Sequence, residues 1–163
     1  MTGPWLVSAS VVLPPAHPWV CDSLIDSYRH LAQVHVAALS EFGVAGRAVP
    51  PREVPRANAA GATRITDWAC FGTLSAWEVV DAGGRKLVGL AQRRRTAGVL
   101  LVAGTLIGPA DWWLLCDVMG RPQDASMLRT HTACGREIAG GPIEPERFAS
   151  VLMHSMTRAL AIG

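Results

Sequence analysis

A single lysine is the first residue in this sequence whose chemistry stands out. Fourteen of the fifteen basic residues are arginine, which leaves Lys86 as the only lysine in a chain of 163 residues. An ammonium group is a compact charge on a flexible stem, and it approaches one oxygen atom in ways that a planar guanidinium cannot. The ordinary alternative is a solvated lysine at a strand end. The composition favours the functional interpretation, so we expect Lys86 to contact a ligand.

Cys70 is a candidate nucleophile that precedes the hairpin carrying Lys86. Free cysteine is among the most buried residue types and commonly packs as a small hydrophobe. A cysteine nucleophile needs a neighbouring cation that favours its thiolate form, and Lys86 lies one hairpin away along the chain. Both interpretations of Cys70 stay open on this pattern alone.

Three consecutive arginines, Arg93, Arg94 and Arg95, end a strand-like segment before a tight turn. One interpretation is a solvated strand end. The other is contact with a phosphate or with an acidic protein partner, both of which guanidinium groups bind well. The pattern does not favour either interpretation.

The sequence indicates no metal centre and none of the common catalytic motifs. His131 and Cys134 form the nearest pair of metal-ligand types, and no second pair follows at zinc-site spacing. We therefore predict no protein-bound metal. A G-x-S-x-G elbow, a Walker loop and a G-x-G-x-x-G turn are also missing. The segment between residues 67 and 107 is left as the place for a site.

Composition and charge favour one cytoplasmic domain that another molecule partly covers. The length suits a single domain, and a net charge of +2 is too small for a nucleic-acid-binding face. Four cysteines without a disulfide framework favour the cytoplasm. No apolar stretch approaches the roughly 18 residues of a membrane span. The positive mean hydropathy of +0.24 indicates apolar surface that a complementary chain or a second copy would cover.

The elements that must position these residues show both β and α patterns. They are a strand at residues 5–13, a helix at 22–42 capped by Asp22, a hairpin at 77–81 and 85–93, a buried strand at 99–107, a short helix at 111–119 and a last helix from residue 144. Residues 44–66 show no periodicity and are predicted to be a flexible connection.

Period-two alternation along the lysine strand sorts its side chains into two faces. The pattern puts Lys86 with Val88, Leu90 and Gln92, and it puts Gly89 with Leu87 and Ala91. The second face is shallow because Gly89 and Ala91 are small. A glycine within a strand indicates that a ligand or another backbone comes close.

Four segments resemble the lipoate–protein ligase and octanoyltransferase family, which shares its catalytic fold with biotin–protein ligases. They are Ala69-Cys70-Phe71, Glu78-Val79-Val80, the lysine block at residues 84–93 and Gly104-Thr105-Leu106-Ile107. The lysine block is the most specific. The likeness covers most of the chain but only the carboxy-terminal half of the family's catalytic domain. It implies an α+β fold over residues 1–163: a partial biotin/lipoate-ligase-like, class II synthetase-like domain with an antiparallel or mixed sheet and flanking helices.

The resemblance implies attachment of lipoate or octanoate to a lysine of a small acceptor domain. The family's lysine falls on Lys86, which would contact the acyl carboxylate and stabilise charge growing on the carbonyl oxygen. In the octanoyltransferase branch Cys70 would carry the acyl group, without ATP. A ligase would use ATP with Mg²⁺ and form an acyl-adenylate. The residues that would line the acyl chain or the nucleotide are Gly84, Arg85, Gly89, Ala91, Gln92 and Thr105.

The family's upstream half carries an arginine pair and a glycine-rich loop, and this chain begins after them. The resemblance therefore implies a ligase or transferase that is active with a complementary chain. The alternative is a non-catalytic subunit or truncated remnant that binds an acidic lipoyl-type acceptor domain through the arginines at 93–95.

Overall fold

A five-stranded antiparallel sheet forms the centre of the computed structural model, which describes residues 3–23, 25–61 and 68–162. The strands are β1 (Leu6–Leu13), β2 (Arg47–Ala48), β3 (Val79–Val80), β4 (Lys86–Arg95) and β5 (Gly98–Leu106). Their order across the sheet is β1-β5-β4-β3-β2. The predicted α+β class with an antiparallel sheet and flanking helices is confirmed.

The last three strands form a meander, which confirms the predicted hairpin and the strand that follows it. β4 and β5 pair up to the Arg95↔Gly98 pair, so only Thr96 and Ala97 separate them. β1 pairs with β5 along its whole length. Between β3 and β4 the chain turns at Gly84, whose φ of 81° lies in the left-handed region that favours glycine.

Within the described residues, six helices accompany the sheet. They are α1 (Ser27–Ser40), α2 (Val54–Gly61), α3 (Trp112–Val118), α4 (Ala125–His131), α5 (Gly135–Ala139) and α6 (Pro145–Ile162). α1 and α6 pack against each other and against one face of the sheet. The predicted last helix is confirmed as α6, and its apolar residues Phe148, Leu152 and Met156 are buried in the main core. In this part of the chain no helix is both long enough and apolar enough to cross a membrane.

The first helix starts later than the sequence predicts, at Ser27 instead of Asp22. The backbone N–H of Cys21 donates to the hydroxyl of Ser27 at 3.1 Å. From β4, the guanidinium of Arg94 donates to the carbonyl oxygen of Cys21 and to the same hydroxyl. These tertiary contacts hold the preceding segment away from a helical path, so Asp22 does not act as the cap.

Residues 44–66, the predicted flexible connection, contain more regular structure than their composition indicates. They include β2, a 3-10 turn at Pro51–Glu53 and α2. Residues 62–66 lie outside the described residues, and the flexibility of the connection stays a prediction.

A second, smaller hydrophobic cluster lies beside the end of β5. Its buried members are Ala69, Leu106, Trp112, Cys116, Ala125, Leu128 and Cys134. α3 starts where predicted because the side chain of Asp111 accepts a hydrogen bond from the backbone N–H of Leu114 at 3.0 Å. α4 and α5 have no counterpart among the predicted elements, since helices of 7 and 5 residues are too short to be stable without tertiary packing.

The two faces of the sheet are covered to different extents. α1 and α6 bury one face. The other, which we call the open face, consists of Ser8, Ser10 and Val12 of β1, Leu100, Val102 and Gly104 of β5, and Gly89 and Ala91 of β4. These positions are exposed or half-buried, and Val12 is 75% exposed.

Candidate active site

A β-bulge at the start of β4 decides where Lys86 points. Val79 of β3 pairs with Val88, whereas the next residue, Val80, pairs with Lys86. β4 therefore has one more residue than β3 across this step. Since consecutive residues of β3 face opposite sides, Lys86 and Val88 do so as well. A Cβ atom placed on Gly89 would lie 3.4 Å from Cε of Lys86, so Lys86 shares the open face with Gly89.

The predicted grouping of Lys86 with Val88 and Leu90 is wrong for this reason. Period-two alternation assumes that successive residues of a strand face opposite sides of the sheet. The extra residue of the bulge breaks this alternation between Lys86 and Val88, so the two side chains face opposite sides. Leu87 and Val88 both enter the main core. The bulge thus brings the chain's only lysine to the accessible side of the sheet, beside small residues.

The ammonium group of Lys86 is surrounded by three oxygen atoms. Its Nζ lies 2.6 Å from Oε2 of Glu78, and it donates to the carbonyl oxygens of Cys70 at 2.6 Å and Thr73 at 2.9 Å. The ring of Phe71 adds a cation–π contact at 5.2 Å. Lys86 is only 4% exposed. It therefore links β4 to the segment that carries Cys70.

Glu78 is the counter-ion of Lys86 and is itself buried, at 2% exposed. Its Oε2 also accepts a hydrogen bond from the backbone N–H of Ser75 at 2.7 Å, and its Oε1 accepts from that of Leu90 at 3.0 Å. Burial raises the pKa of Glu78 and lowers the pKa of Lys86, and in each residue the partner's charge opposes that shift. The ion pair keeps both groups charged in a place that would otherwise favour their neutral forms.

Cys70 is the exposed member of the four free cysteines. It lies on the cysteine loop, which we define as residues 68–75. Lys86 holds the middle of this loop through the two carbonyl contacts. At one end the indole N–H of Trp68 donates to Asp124 at 2.9 Å. At the other, the side chain of Asn58 exchanges two hydrogen bonds with the backbone of Leu74. The exposed thiol is thus carried by a loop that is anchored at three points.

Two paired glycines lie in the open face beside Lys86. Gly89 of β4 and Gly104 of β5 are direct partners across the strands. A Cβ atom on Gly104 would meet only Leu6, at 3.3 Å. Because Gly89 has no side chain, those of Lys86, Phe71 and Glu78 can pack over it. The sequence alone indicates a close contact at Gly89, and the strand register shows that Gly104 lies directly beside it.

The other predicted site residues divide between the two faces. Ala91, Arg93 and Arg95 are exposed on the same side as Gly89. Gln92 lies on the helix-covered side, where it hydrogen-bonds to Tyr28 of α1, and Arg94 binds the start of α1. Thr105 is fully buried and pairs with the core residue Val88. The roles of Gln92 and Thr105 in lining the acyl chain or the nucleotide, and of the three arginines in contacting an acceptor or a phosphate, stay predictions. The side chains of Gln92, Arg94 and Thr105 lie on the side of the sheet that the helices cover.

Gly84 and Arg85 fix the turn that precedes Lys86. The guanidinium of Arg85 contacts Asp81 at 2.8 Å and Glu137 of α5 at 2.7 Å. The hydrogen bond to Glu137 is the largest influence on the pKa of Arg85 and raises it. Beyond this turn lies a cavity of about 910 Å³, and its lining includes Trp112 and the three arginines Arg85, Arg129 and Arg136.

Sequence reasoning missed Glu78 and Asn58 as parts of the site. The signal for Glu78 was present, because a single carboxylate precedes two strand valines that are buried. The backbone conformation of Trp77, the residue before Glu78, could not be predicted from the sequence. Trp77 is the one non-glycine residue with positive φ in the described segments, at 66°, a conformation that costs energy and is common at functional sites. In the described segments, no three or more histidine, cysteine, aspartate or glutamate side chains lie close enough together to bind a metal ion.

Comparison with solved structures identifies the class of the fold. The chain is similar to biotin protein ligase from Aquifex aeolicus, with a TM-score of 0.61, 11% identity and coverage of 96% of this chain and 53% of that chain. It is similar to a structure from T. acidophilum with bound lipoic acid, with a TM-score of 0.61, 15% identity and coverage of 96% and 52%. It is also similar to a bi-partite lipoate protein ligase from Thermoplasma acidophilum, described with its E2 lipoyl domain. The TM-score is 0.60 and the identity 15%, with coverage of 96% of this chain and 51% of that chain. The predicted biotin/lipoate-ligase-like fold is confirmed.

Comparison with curated sequences finds relatives among the octanoyltransferases. The chain is 32% identical over 162 residues to octanoyltransferase LipM of Moorella thermoacetica, which covers 96% of this chain and 56% of that protein. It is 32% identical over 160 residues to LipM of Kyrpidia tusciae, with coverage of 94% and 57%. No protein-family model matches. The chain spans about half the length of the curated relatives it matches. The predicted resemblance to the lipoate–protein ligase and octanoyltransferase family is confirmed, and these relatives are enzymes.

Proposed function

We propose that this chain carries the nucleophile half of an octanoyl- or lipoyl-transferring enzyme of the cytoplasm, which modifies a lysine of a lipoyl-type acceptor domain. The observation that supports this most directly is the position of Cys70. Its exposed thiol lies on the loop that the buried Lys86 ammonium binds. The paired glycines Gly89 and Gly104 lie beside this site on the open face. The names of the curated relatives support the choice of acyl group.

The proposed reaction proceeds in two acyl transfers. The Cys70 thiolate attacks the carbonyl carbon of an octanoyl thioester, a new S–C bond forms, and the donor thiol leaves with a proton. The amine of the acceptor lysine then attacks the Cys70 thioester. An amide bond forms, and Cys70 regains its proton from the amine. The positive charge of Lys86 favours the thiolate and the oxyanion formed in both steps.

A mass shift of the protein tests the role of Cys70. After incubation with an octanoyl thioester donor, we expect one octanoyl adduct on the wild-type chain and none on Cys70→Ser. The control Cys21→Ser, which removes a half-buried cysteine between β1 and α1, should show an undiminished adduct. Intact-mass spectrometry followed by peptide mapping locates the adduct. An adduct that persists in Cys70→Ser would contradict the proposal.

A ligase that uses ATP with Mg²⁺ is the second candidate, and the cavity whose lining includes Arg129 and Arg136 favours it. Guanidinium groups bind phosphate oxygens bidentately, and the exposed Trp113 in the same lining offers an aromatic surface. In that reaction the acyl group would be activated as an acyl-adenylate and Cys70 would not be needed. Adding ATP, Mg²⁺ and free octanoate to the same assay separates the two candidates. Acceptor modification by Cys70→Ser that depends on ATP would support the ligase.

We further propose that a complementary segment or chain covers the open face. The face includes exposed Val12 and half-buried Leu100 and Val102, an apolar surface of the kind that partners cover. The bi-partite lipoate protein ligase of similar fold supports this arrangement. Its occupant would carry the arginine pair and glycine-rich loop that the family resemblance implies.

The alternative is a non-catalytic subunit that binds an acidic acceptor domain through the exposed Arg93 and Arg95. Charge contacts of this kind weaken with salt. We expect Arg93→Glu with Arg95→Glu to abolish binding of an acidic lipoyl-type domain at low salt, while Arg158→Glu on α6 leaves it unchanged. Titration calorimetry measures this. Equal binding by both charge-reversed variants would remove the role of these arginines.

A further inference from the structure

Glu78 has no part in the transfer chemistry described so far, yet it is built into the centre of the site. We propose that Glu78 is a positioning residue: its carboxylate keeps Lys86 charged and, through Lys86, holds the cysteine loop in its reactive position. This inference rests on the proposed acyl transfer for its meaning but not for its test.

The first support is the saturation of the Lys86 ammonium. A protonated lysine has three hydrogen-bond donors, and three oxygen atoms lie within 2.9 Å of Nζ. One is the Glu78 carboxylate and two are loop carbonyls, those of Cys70 and Thr73. In this arrangement Lys86 is a clamp on the nucleophile's own backbone. To contact an acyl oxygen, it must release one of the two carbonyls and keep the carboxylate.

The second support is the way in which Glu78 is held. Its two oxygens accept hydrogen bonds from the backbone N–H groups of Ser75 and Leu90 in addition to Lys86. Ser75 belongs to the cysteine loop and Leu90 to β4. Glu78 therefore joins the loop to the strand directly as well as through the lysine. A carboxylate with this many partners is preorganised and cannot easily turn away when substrate binds.

The third support is the local backbone. Trp77 adopts a φ of 66° immediately before Glu78. The bulge in β4 turns Lys86 to the open face, where the Glu78 carboxylate also lies. A Cβ atom on Gly89 would lie 3.7 Å from Oε1 of Glu78 and 3.4 Å from Cε of Lys86, so the pair occupies the space over this glycine. The positive φ of Trp77, the bulge and the missing side chain of Gly89 are thus all found around this one ion pair.

The consequence concerns the charge of Lys86. Burial lowers the pKa of this lysine, and Glu78 is the partner that opposes the shift most. The other titratable groups that interact with the pair are Cys70 of the loop and Tyr28 of α1. Without the Glu78 charge, Lys86 would lose its proton more readily. A neutral amine would hold the two carbonyls less firmly and would no longer favour a thiolate.

The single lysine makes the test direct. In wild-type chain labelled with ¹³C-lysine, one side-chain Cε signal is expected to keep the chemical shift of a charged amine through neutral pH. In Glu78→Gln, which preserves the shape of the side chain, we expect the midpoint of this titration to fall by about one pH unit or more. The control Glu53→Gln removes an exposed carboxylate that contacts Arg47 and is expected to leave the titration unchanged. An unchanged titration in Glu78→Gln would overturn the proposal.

A second readout is the rate at which Cys70 is alkylated by iodoacetamide. We expect this rate to fall several-fold in Glu78→Gln and in Lys86→Met, and to fall no further in the double variant. The double variant removes both buried charges, so it remains informative if Glu78→Gln does not fold. A rate in the double variant that differs several-fold from that of Lys86→Met would show that Glu78 acts independently of Lys86 and overturn the proposal. Neither readout needs an acyl donor, so failure of the proposed transfer would be seen separately.

Discussion

Replacement of Lys86 by methionine is expected to abolish the proposed acyl transfer and to lower the free energy of unfolding by about 3–5 kcal/mol, the usual cost of removing one member of a buried ion pair. Methionine fills a similar volume but leaves the Glu78 carboxylate buried with only two backbone donors. The carbonyls of Cys70 and Thr73 also lose their common partner. The cysteine loop then keeps its two end anchors and the hydrogen bond from the Ser75 N–H to Glu78.

The loss of stability in Lys86→Met is expected to depend on pH. Burial raises the pKa of Glu78, and removal of the lysine also removes the charge that opposes this shift. A carboxyl group whose pKa is higher in the folded chain than in the unfolded chain contributes most stability at low pH, and this contribution is lost as the pH rises through the folded value. Lys86→Met should therefore be less stable at pH 7 than at pH 5, relative to wild type at each pH.

Urea denaturation at the two pH values measures this effect, and Arg93→Met is the matched control. Arg93 is an exposed cation of the same strand, and its replacement is expected to change the free energy of unfolding by less than about 0.5 kcal/mol. The double variant Lys86→Met with Glu78→Gln should recover part of the stability, since it leaves no buried charge unpaired. If Lys86→Met and Arg93→Met proved equally stable at pH 7, the buried pair would not exist in solution.

The sequence predicts the hairpin, the strand after it and the short and last helices because these elements depend on local chemistry. Gly84 has the positive φ that its turn requires, and Asp111 caps α3 through its own side chain. The apolar stripe of α6 follows from helical spacing alone. In each case the residue that gives the signal also makes the contact, or lies within one helical turn of it.

The parts that could not be predicted depend on pairing between distant segments. The face of Lys86 is set by the step between Val79↔Val88 and Val80↔Lys86, and no count along β4 shows it. The late start of α1 follows from the contacts of Arg94, which lies far along the chain. Likewise, Asn58 reaches the cysteine loop from α2 only in the folded chain. Sequence reasoning therefore found the charged residue and missed the partners that hold it.

A histidine in the core predicts a second large effect, on stability in acid. His35 of α1 is fully buried, and burial lowers its pKa to about 4. Its Nδ1 lies 2.8 Å from the carbonyl oxygen of Leu31, so the neutral ring carries its proton there and donates it. In the described part of the chain, Nε2 is buried without a hydrogen-bond partner. A proton added to Nε2 would therefore place an unpaired charge in the core.

The sign of the effect follows from proton binding by the two states. Between the ordinary histidine pKa of about 6.5 and about 4, the unfolded chain binds a proton at this position that the folded chain excludes. Stability is therefore complete above pH 6.5 and falls as the pH decreases through this window. The difference of roughly 2.5 units corresponds to about 3 kcal/mol at the lower end. The free energy of unfolding from urea titrations between pH 7 and pH 4 should show this fall.

His35→Gln separates this effect from the titration of carboxylates, which also lose charge in acid. Glutamine can still donate to the carbonyl oxygen of Leu31 but does not bind a proton, so the variant should start from a lower stability at pH 7 and lose about 3 kcal/mol less than wild type on acidification. His154→Gln, which removes an exposed histidine of α6, should follow the wild-type curve. Parallel curves for wild type and His35→Gln would mean that the core admits the protonated ring, and that its pKa lies near the ordinary value.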